Sequence, residues 1–378
     1  MKLGTKIIHS GHTIDPYTKG LSVPIYQVST FAQESVDHFG KYDYARSGNP
    51  TREALEETIA ALENGSRGFA FASGMAAISS ALLLFSAGDH LIVCEDVYGG
   101  TFRVLTSLFS RLGIEATFVD TTDLSNVRAA LRPNTKALYL ETPSNPLLKI
   151  TDLHGAVQLA KEHGLLTLVD NTFMTPYLQR PLELGCDIVL HSGTKFLNGH
   201  SDVISGLAVV RDQELGNRLS FVQNAFGAVL GPQDSWLVLR GVKTLKVRME
   251  ESQRSAIAVA GWLAEQQRVR EVFYPGLPDH PGAEVHARQS SGPGAVLSFK
   301  LESLELTRRV LEGLELAAFA VSLGGVESII SYPAKMSHAA MPPHEREARG
   351  VTDNLVRLSV GLEEAADLIA DLDRVING

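Results

Sequence analysis

At 378 residues, with 44% hydrophobic and 20% charged side chains, the chain has the make-up of a globular protein too long for one ordinary core, so two domains are expected. Its 43 acidic against 34 basic residues leave a net charge of −9, which argues against a nucleic-acid partner, because polyanion binding needs a basic face. Two cysteines, Cys94 and Cys186, without a CxxC pair, exclude a disulfide framework and a zinc ribbon.

The N-terminal MKLGTKIIHSGHT lacks the apolar run of a secretory signal, so a reduced, cytoplasmic setting is the expectation. Residues 1–53 are rich in Gly, Pro, Ser and Thr and carry Tyr17, Tyr26, Phe31, Tyr42 and Tyr44 without a sustained period. They read as an irregular arm that needs another surface, such as a partner subunit, to lie against. A helix is predicted over 54–62, with Thr51 as N-cap, Glu53, Glu56 and Glu57 in its first turns and Gly65 beyond its end. Residues 69–87 carry no charge over 19 positions, long enough to raise the membrane question. Ser73-Gly74 splits them into a strand over 68–72 and a helix from near Met75, so no membrane span is expected.

Apolar runs at 90–94, 115–119, 137–140, 165–169, 188–190 and 206–210 then alternate with helical stretches. That alternation predicts an α/β fold with a mostly parallel sheet covered on both faces. A long helix is predicted over 242–267, before the turn Tyr274-Pro275-Gly276. From about Ala295 short strands (295–300, 357–360) alternate with helices such as 304–314, the pattern of a smaller α+β domain. The expected division is an arm over 1–53, a large domain over 54–245 and a small domain over 246–378.

The densest chemistry lies in 187–203, DIVLHSGTKFLNGHSDV. Lys195, with Ser192 and Thr194 beside it, follows the run 188–190, and Asp170 follows the run 165–169. Ligands of open parallel sheets bind beyond the carboxyl ends of the strands. A lysine, hydroxyls and an acid at two successive strand exits suit pyridoxal phosphate: the amine can bond to its aldehyde, the hydroxyls can hold its phosphate, and the acid can pair with its pyridinium nitrogen. Separately, these residues read as a solvated lysine and a helix-capping aspartate; the combination carries the assignment.

Other positions join them. Ser73-Gly74-Met75 sits at a strand-to-helix junction, an anion site if it is more than a tight turn. The chain has no GxGxxG or GxxxxGK, which disfavours a dinucleotide or nucleoside triphosphate. Tyr98, between a strand exit and a helix, could stack on a ring and offer its hydroxyl for proton work, or be a core tyrosine. Asn145, beyond another strand end, could hold a ring substituent or serve the turn. Arg357 inside the apolar run LVRLSVG demands a partner, either a ligand carboxylate or an internal salt bridge. The twelve histidines show no metal-ligand spacing, so no metal is expected, and His338 and His344 read as surface or loop residues.

Nine segments, in order along nearly the whole chain, resemble the Cys/Met metabolism family of pyridoxal-phosphate enzymes, the cystathionine γ-synthase/γ-lyase group. They are YDYARSGNPTR (42–52), ASGMAA (72–77), DVYGGTFR (96–103), ETPSNPLLKITD (141–152), VDNTF (169–173), HSGTKFLNGHSDV (191–203), LGPQDSWL (230–237), SLGGVES (322–328) and LVRLSVGLE (355–363). The resemblance implies the type I, aspartate-aminotransferase-like fold, with a mostly parallel seven-stranded sheet. It also implies a homotetramer, a dimer of dimers whose subunits complete each other's sites. It implies catalytic roles for Lys195, Tyr98 and Asp170: Lys195 bonds to the cofactor, Asp170 pairs with its ring nitrogen and Tyr98 stacks on it. Gly74, Met75, Ser192 and Thr194 would bind its phosphate, and Tyr44 and Arg46 would reach the phosphate of a neighbouring subunit. Asn145, Ser322 and Arg357 would hold the amino-acid end of the substrate.

The activity implied is a carbon–sulfur lyase. A cystathionine β-lyase, giving homocysteine, pyruvate and ammonia, is expected first. A γ-lyase, giving cysteine, 2-oxobutyrate and ammonia, and a γ-replacement enzyme such as cystathionine γ-synthase are the alternatives. Methionine γ-lyases carry a cysteine two positions after the stacking tyrosine, where this chain has Gly100. Within the family the chain most resembles the Firmicute-type cystathionine lyases, which include both β- and γ-lyases.

Overall fold

Apolar runs bounded by turns become strands, and the central ones are buried on both faces. The computed structural model describes residues 1–11, 14–339 and 341–378. In it β1 (Arg67–Phe71), β2 (His90–Cys94), β3 (Glu115–Val119), β4 (Thr135–Glu141), β5 (Leu166–Asp170), β6 (Ile188–Ser192) and β7 (Gly206–Val210) form one sheet in the order β1-β7-β6-β5-β4-β2-β3. β2 to β6 are parallel, and β7 runs antiparallel to its neighbours β1 and β6. Alternate residues feed two cores: Leu91, Val93, Tyr139 and Leu168 pack on one face, Ile92, Leu138, Leu140 and Val169 on the other. The uncharged stretch after Arg67 divides as expected into β1 and the helix Gly74–Leu82, capped by Ser73, whose Oγ accepts from Ala76 N at 3.0 Å. No helix among the described residues is long and apolar enough to cross a membrane.

Two helix boundaries differ from expectation. The first long helix is Pro50–Glu63, and Asn49 caps it: Asn49 Oδ1 accepts from Thr51 N and Arg52 N at 3.0 and 3.3 Å. Thr51 lies inside the helix, and its hydroxyl donates to Pro24 O (2.8 Å) and accepts from Tyr26 N (2.9 Å), so the threonine pins the arm instead of capping the helix. The helix expected over 242–267 is Leu245–Ala264, and a separate helix, Pro232–Val242, precedes it, with a break at Lys243 and Thr244. The buried Arg248 guanidinium holds the break, donating to Gly241 O (2.8 Å) and to Phe196 O (2.6 Å), just beyond Lys195. Apart from the helix Leu3–His9, the arm is largely irregular up to Pro50 and exposes Tyr17, Leu21, Val36, Phe39 and Tyr44.

A second sheet follows, with β8 (Val269–Phe273), β9 (Val296–Leu301), β10 (Ala318–Phe319), β11 (Ile329–Ser331) and β12 (Leu355–Ser359) in the order β10-β11-β12-β9-β8. Leu306 and Val310 of the helix Leu304–Gly313, and Leu368 and Leu372 of the helix Ala365–Ile376, pack on Leu297, Phe299, Val356 and Leu358. Arg357 alternates with that apolar pair, which places it on the other face of β12, toward the first sheet.

Candidate active site

The carboxyl ends of β4, β5 and β6 and the Arg357 face of β12 enclose a cavity of about 370 Å³. Gly74, Met75, Tyr98, Asn145, Asp170, Ser192, Thr194, Lys195, Ser322 and Arg357 all line it. Of the residues singled out from the sequence, Tyr44 and Arg46 do not. Arg46 donates to Asn224 O (2.7 Å) and Asn224 Oδ1 (3.0 Å), its guanidinium 5.5 Å from the centre of the exposed Tyr44 ring.

Lys195 sits in the turn after β6, and its Nζ donates to Ser322 Oγ at 2.6 Å. Burial, with the Arg357 charge adding to it, pulls the amine's pKa down to about 8. Ser322 O in turn accepts from Arg357 Nη2 at 2.8 Å, and Arg357 Nη1 donates to Asn145 Oδ1 at 2.8 Å. One serine thus ties lysine to arginine. It does so at φ 87°, a region costly for any residue with a Cβ, and such strain collects at working sites. Arg357 is buried, makes no salt bridge among the described residues, and its Nε has no hydrogen-bond partner. Of the two partners the sequence left open, the internal ion pair is therefore absent, and the fork remains available to a carboxylate.

Asp170 closes β5 beside Glu141, which closes β4. Burial pushes the Asp170 carboxyl above its ordinary range, against the bonds from Thr172 (N to Oδ1, 3.0 Å) and the charge of His191. Burial first, then Asp170, pushes Glu141 well up. A carboxyl raised by burial gains most from a cationic partner. His191 itself is paired with Glu63 at 2.7 Å, both fully buried behind the strand.

At the opposite end Gly74 opens its helix against Ser192. A Cβ on Gly74 would stand 3.1 Å from Ser192 Cβ and Oγ, so glycine lets the hydroxyl approach the helix N-terminus. Thr194 Oγ1 exchanges bonds with Ser205, donating to its O (3.2 Å) and accepting from its N (3.0 Å). Tyr98 lies at the N-cap of the helix Gly99–Ser107 with its ring over Gly100, where a Cβ would meet the ring at 2.3 Å and Met75 Sδ at 2.7 Å. Glycine at position 100 is therefore a condition of this ring position.

These groups fit pyridoxal phosphate. A buried amine of lowered pKa answers an aldehyde, a raised carboxyl answers a pyridinium, and a helix N-terminus with hydroxyls answers a phosphate. The orphaned Arg357 Nε answers the carboxylate of an amino acid. Sequence reasoning missed Glu141, Thr172 and Phe173, which also line the cavity. Glu141 carried a readable signal, an acid at a strand exit like Asp170. His338 lies in a turn, as the loop reading has it, but not at the surface: the side chain is 2% exposed, and burial takes its pKa down to about 4. Among the described residues no cluster of His, Cys, Asp or Glu is placed to hold a metal ion.

A profile of the Cys/Met metabolism PLP-dependent enzymes matches residues 4–377. The chain is similar to the cystathionine beta-lyase MetC of Bacillus subtilis (strain 168), 62% identical over 374 residues covering 99% of this chain and 96% of that one. It is 52% identical over 376 residues to the cystathionine gamma-lyase of the same organism, covering 100% of this chain and 99% of that one. The crystal structure of cystathionine gamma-lyase from Lactobacillus plantarum complexed with L-serine matches with a TM-score of 0.98 at 49% identity, covering 100% of this chain and 99% of that one. With a full-length family match and the lysine, acid and arginine of the motifs gathered in one cavity, the chain belongs to the Cys/Met metabolism PLP-dependent enzymes.

Proposed function

We propose that the protein is a cystathionine β-lyase, cleaving L-cystathionine to homocysteine, pyruvate and ammonia. The Lys195–Ser322–Arg357 chain carries the reading, set in a protein 62% identical, nearly end to end, to a cystathionine beta-lyase. When bound, pyridoxal phosphate supplies a ring that accepts the electron pair left at the substrate's Cα. Lys195 Nζ moves the Cα proton; with a pKa of about 8 roughly a quarter of it is neutral at pH 7.5 and able to act as base. Arg357 and Asn145 orient the substrate's carboxylate. Asp170 would hold a proton at the ring nitrogen, and Tyr98, which lines the cavity, would lie against the ring. Gly74, Met75, Ser192 and Thr194 would hold the phosphate.

Tyr44 and Arg46 serve the phosphate of a neighbouring subunit in a homotetramer of two dimers. Their place outside their own cavity, on an arm with exposed aromatics, supports that role. The two sheets, one within 54–245 and the other within 246–378, support a division into arm (1–53), large domain (54–245) and small domain (246–378), and free buried Cys94 and Cys186 support a reducing, cytoplasmic setting.

The γ-lyase reading stands second, favoured by the 52% identical relative and by the solved gamma-lyase structure. Both reactions use the same residues, so products decide. Incubation with L-cystathionine should yield pyruvate with homocysteine; 2-oxobutyrate with cysteine would overturn the first reading, and neither pair would turn attention to γ-replacement.

The lowered lysine pKa gives a second expectation. Only the neutral amine attacks an aldehyde, so a lower pKa means more reactive lysine at a given pH. Capture of added pyridoxal phosphate by cofactor-free protein, followed by stopped-flow absorbance, should accelerate with rising pH and level off above about 8. An ordinary lysine would still be accelerating near pH 10, and that profile would contradict the buried amine.

A further inference from the structure

Asp96 and Glu141 are buried carboxylates on neighbouring loops, and each holds the other's loop. Asp96 lies in the loop after β2, just before Tyr98. Its Oδ2 accepts from Ser144 Oγ and from Leu147 N (3.3 Å), on either side of Asn145. Glu141 ends β4, just before that second loop. Its Oε2 accepts from Tyr98 N at 2.9 Å. Because β2 and β4 are parallel neighbours, both loops leave the same end of the sheet. Ser144 Oγ also accepts from Lys149 N (3.0 Å), and Lys149 Nζ reaches Glu95 Oε1 (2.8 Å), closing the outer side.

We propose that Asp96 and Glu141 form a reciprocal brace that fixes Tyr98 relative to Asn145 and Arg357, so that the cofactor's ring and the substrate's carboxylate are registered by one shared unit. Both are positioning residues, and the inference rests on the roles given above to Tyr98 and Asn145. Buried acceptors shared between two loops are costly to remove, because each loss strands an N–H or hydroxyl on the opposite loop. Burial raises the pKa of both acids, so a neutral pair would hold the fold at less cost; the return is in position.

A shared brace must transmit a defect on the Asn145 side to the cofactor. Ser144→Ala is expected to weaken pyridoxal phosphate binding by the cofactor-free protein about fivefold, together with a similar rise in KM for L-cystathionine in the holoenzyme. Asp96→Ala and Glu141→Ala should each move both quantities roughly ten- to a hundredfold, with kcat falling less. Glu141→Gln keeps an acceptor oxygen and should recover most of its loss. The double alanine variant should be within about twofold of the worse single one, since either cut already opens the brace. If the alanine variants do not fold, Ser144→Ala decides alone. A rise in KM with cofactor affinity unmoved, or additive losses in the double variant, overturns the brace. Wild-type protein that binds no pyridoxal phosphate would instead end the lyase assignment.

Discussion

Lys195→Ala should give a folded protein that turns over no substrate, with a loss of roughly 10⁴-fold or more, the combined scale of proton transfer and covalent catalysis by one side chain. The fold should survive because Nζ holds one hydrogen bond, to Ser322 Oγ, and is buried at a cost that has already lowered its pKa to about 8. At neutral pH most of the wild-type amine is charged, so its removal relieves desolvation, and the melting temperature should move by no more than about 3 °C. Added pyridoxal phosphate should still bind, through the donors proposed for its phosphate at Gly74 and Ser192, but without the absorbance of a lysine-bound aldehyde. Lys195→Arg should behave alike, because a guanidinium keeps the charge and cannot supply a neutral amine. Activity in either variant within tenfold of wild type would remove Lys195 from the chemistry.

What the sequence conveyed about this site came from position relative to strands. β2, β3 and β7 have the bounds expected from their apolar runs, since each run ends abruptly in polar or glycine residues. Once those ends are placed, Asp170, Ser192 and Lys195 fall at carboxyl edges of adjacent parallel strands, where such sheets bind ligands. Arg357 was legible for a different reason: a charge in an apolar strand needs a partner, and Asn145 Oδ1 and Ser322 O are its observed ones. Ser322 had no such mark. A serine before Leu-Gly-Gly says nothing of φ 87° or of a lysine 127 positions away in sequence, and its assignment came from the family resemblance alone.

The misread features depend on contacts between distant segments. Asn49 and Thr51 are both good helix caps on either side of Pro50, and the arm's backbone at Pro24 and Tyr26 takes the threonine hydroxyl, leaving the cap to asparagine. The helix expected from 242 starts at Leu245, after a break where the Arg248 guanidinium is drawn to carbonyls at Phe196 and Gly241. β8 is a half-exposed edge strand and β10 has two residues, too little pattern to separate from a loop. His338 is buried, within reach of the Arg357, Arg349 and Arg346 charges, and nothing in its local sequence announces that.

Asp170→Asn should cost less than loss of the lysine and more than any other single change at the ring. Asparagine is nearly the same shape, and its Oδ1 can keep the bond from Thr172 N, so the β5 exit should stay in place. The charge is what disappears. Burial already lifts the Asp170 carboxyl above its ordinary range, which makes the anion expensive without a cation and strongly attracted to one. Removing one partner of a buried, hydrogen-bonded charge pair costs about 2–5 kcal/mol, equivalent to roughly 30- to 5,000-fold in rate. The loss should appear in kcat, with KM for L-cystathionine nearly unmoved, because the residues proposed to hold the substrate, Arg357, Asn145 and Ser322, do not include Asp170. Cofactor-free Asp170→Asn should melt no lower than wild type, since a buried carboxyl has been replaced by a neutral amide. Steady-state kinetics and thermal melts of the same preparation separate these effects: an unchanged kcat would show that the ring nitrogen does not rely on this acid, and a collapsed melt would make Asp170 a structural residue.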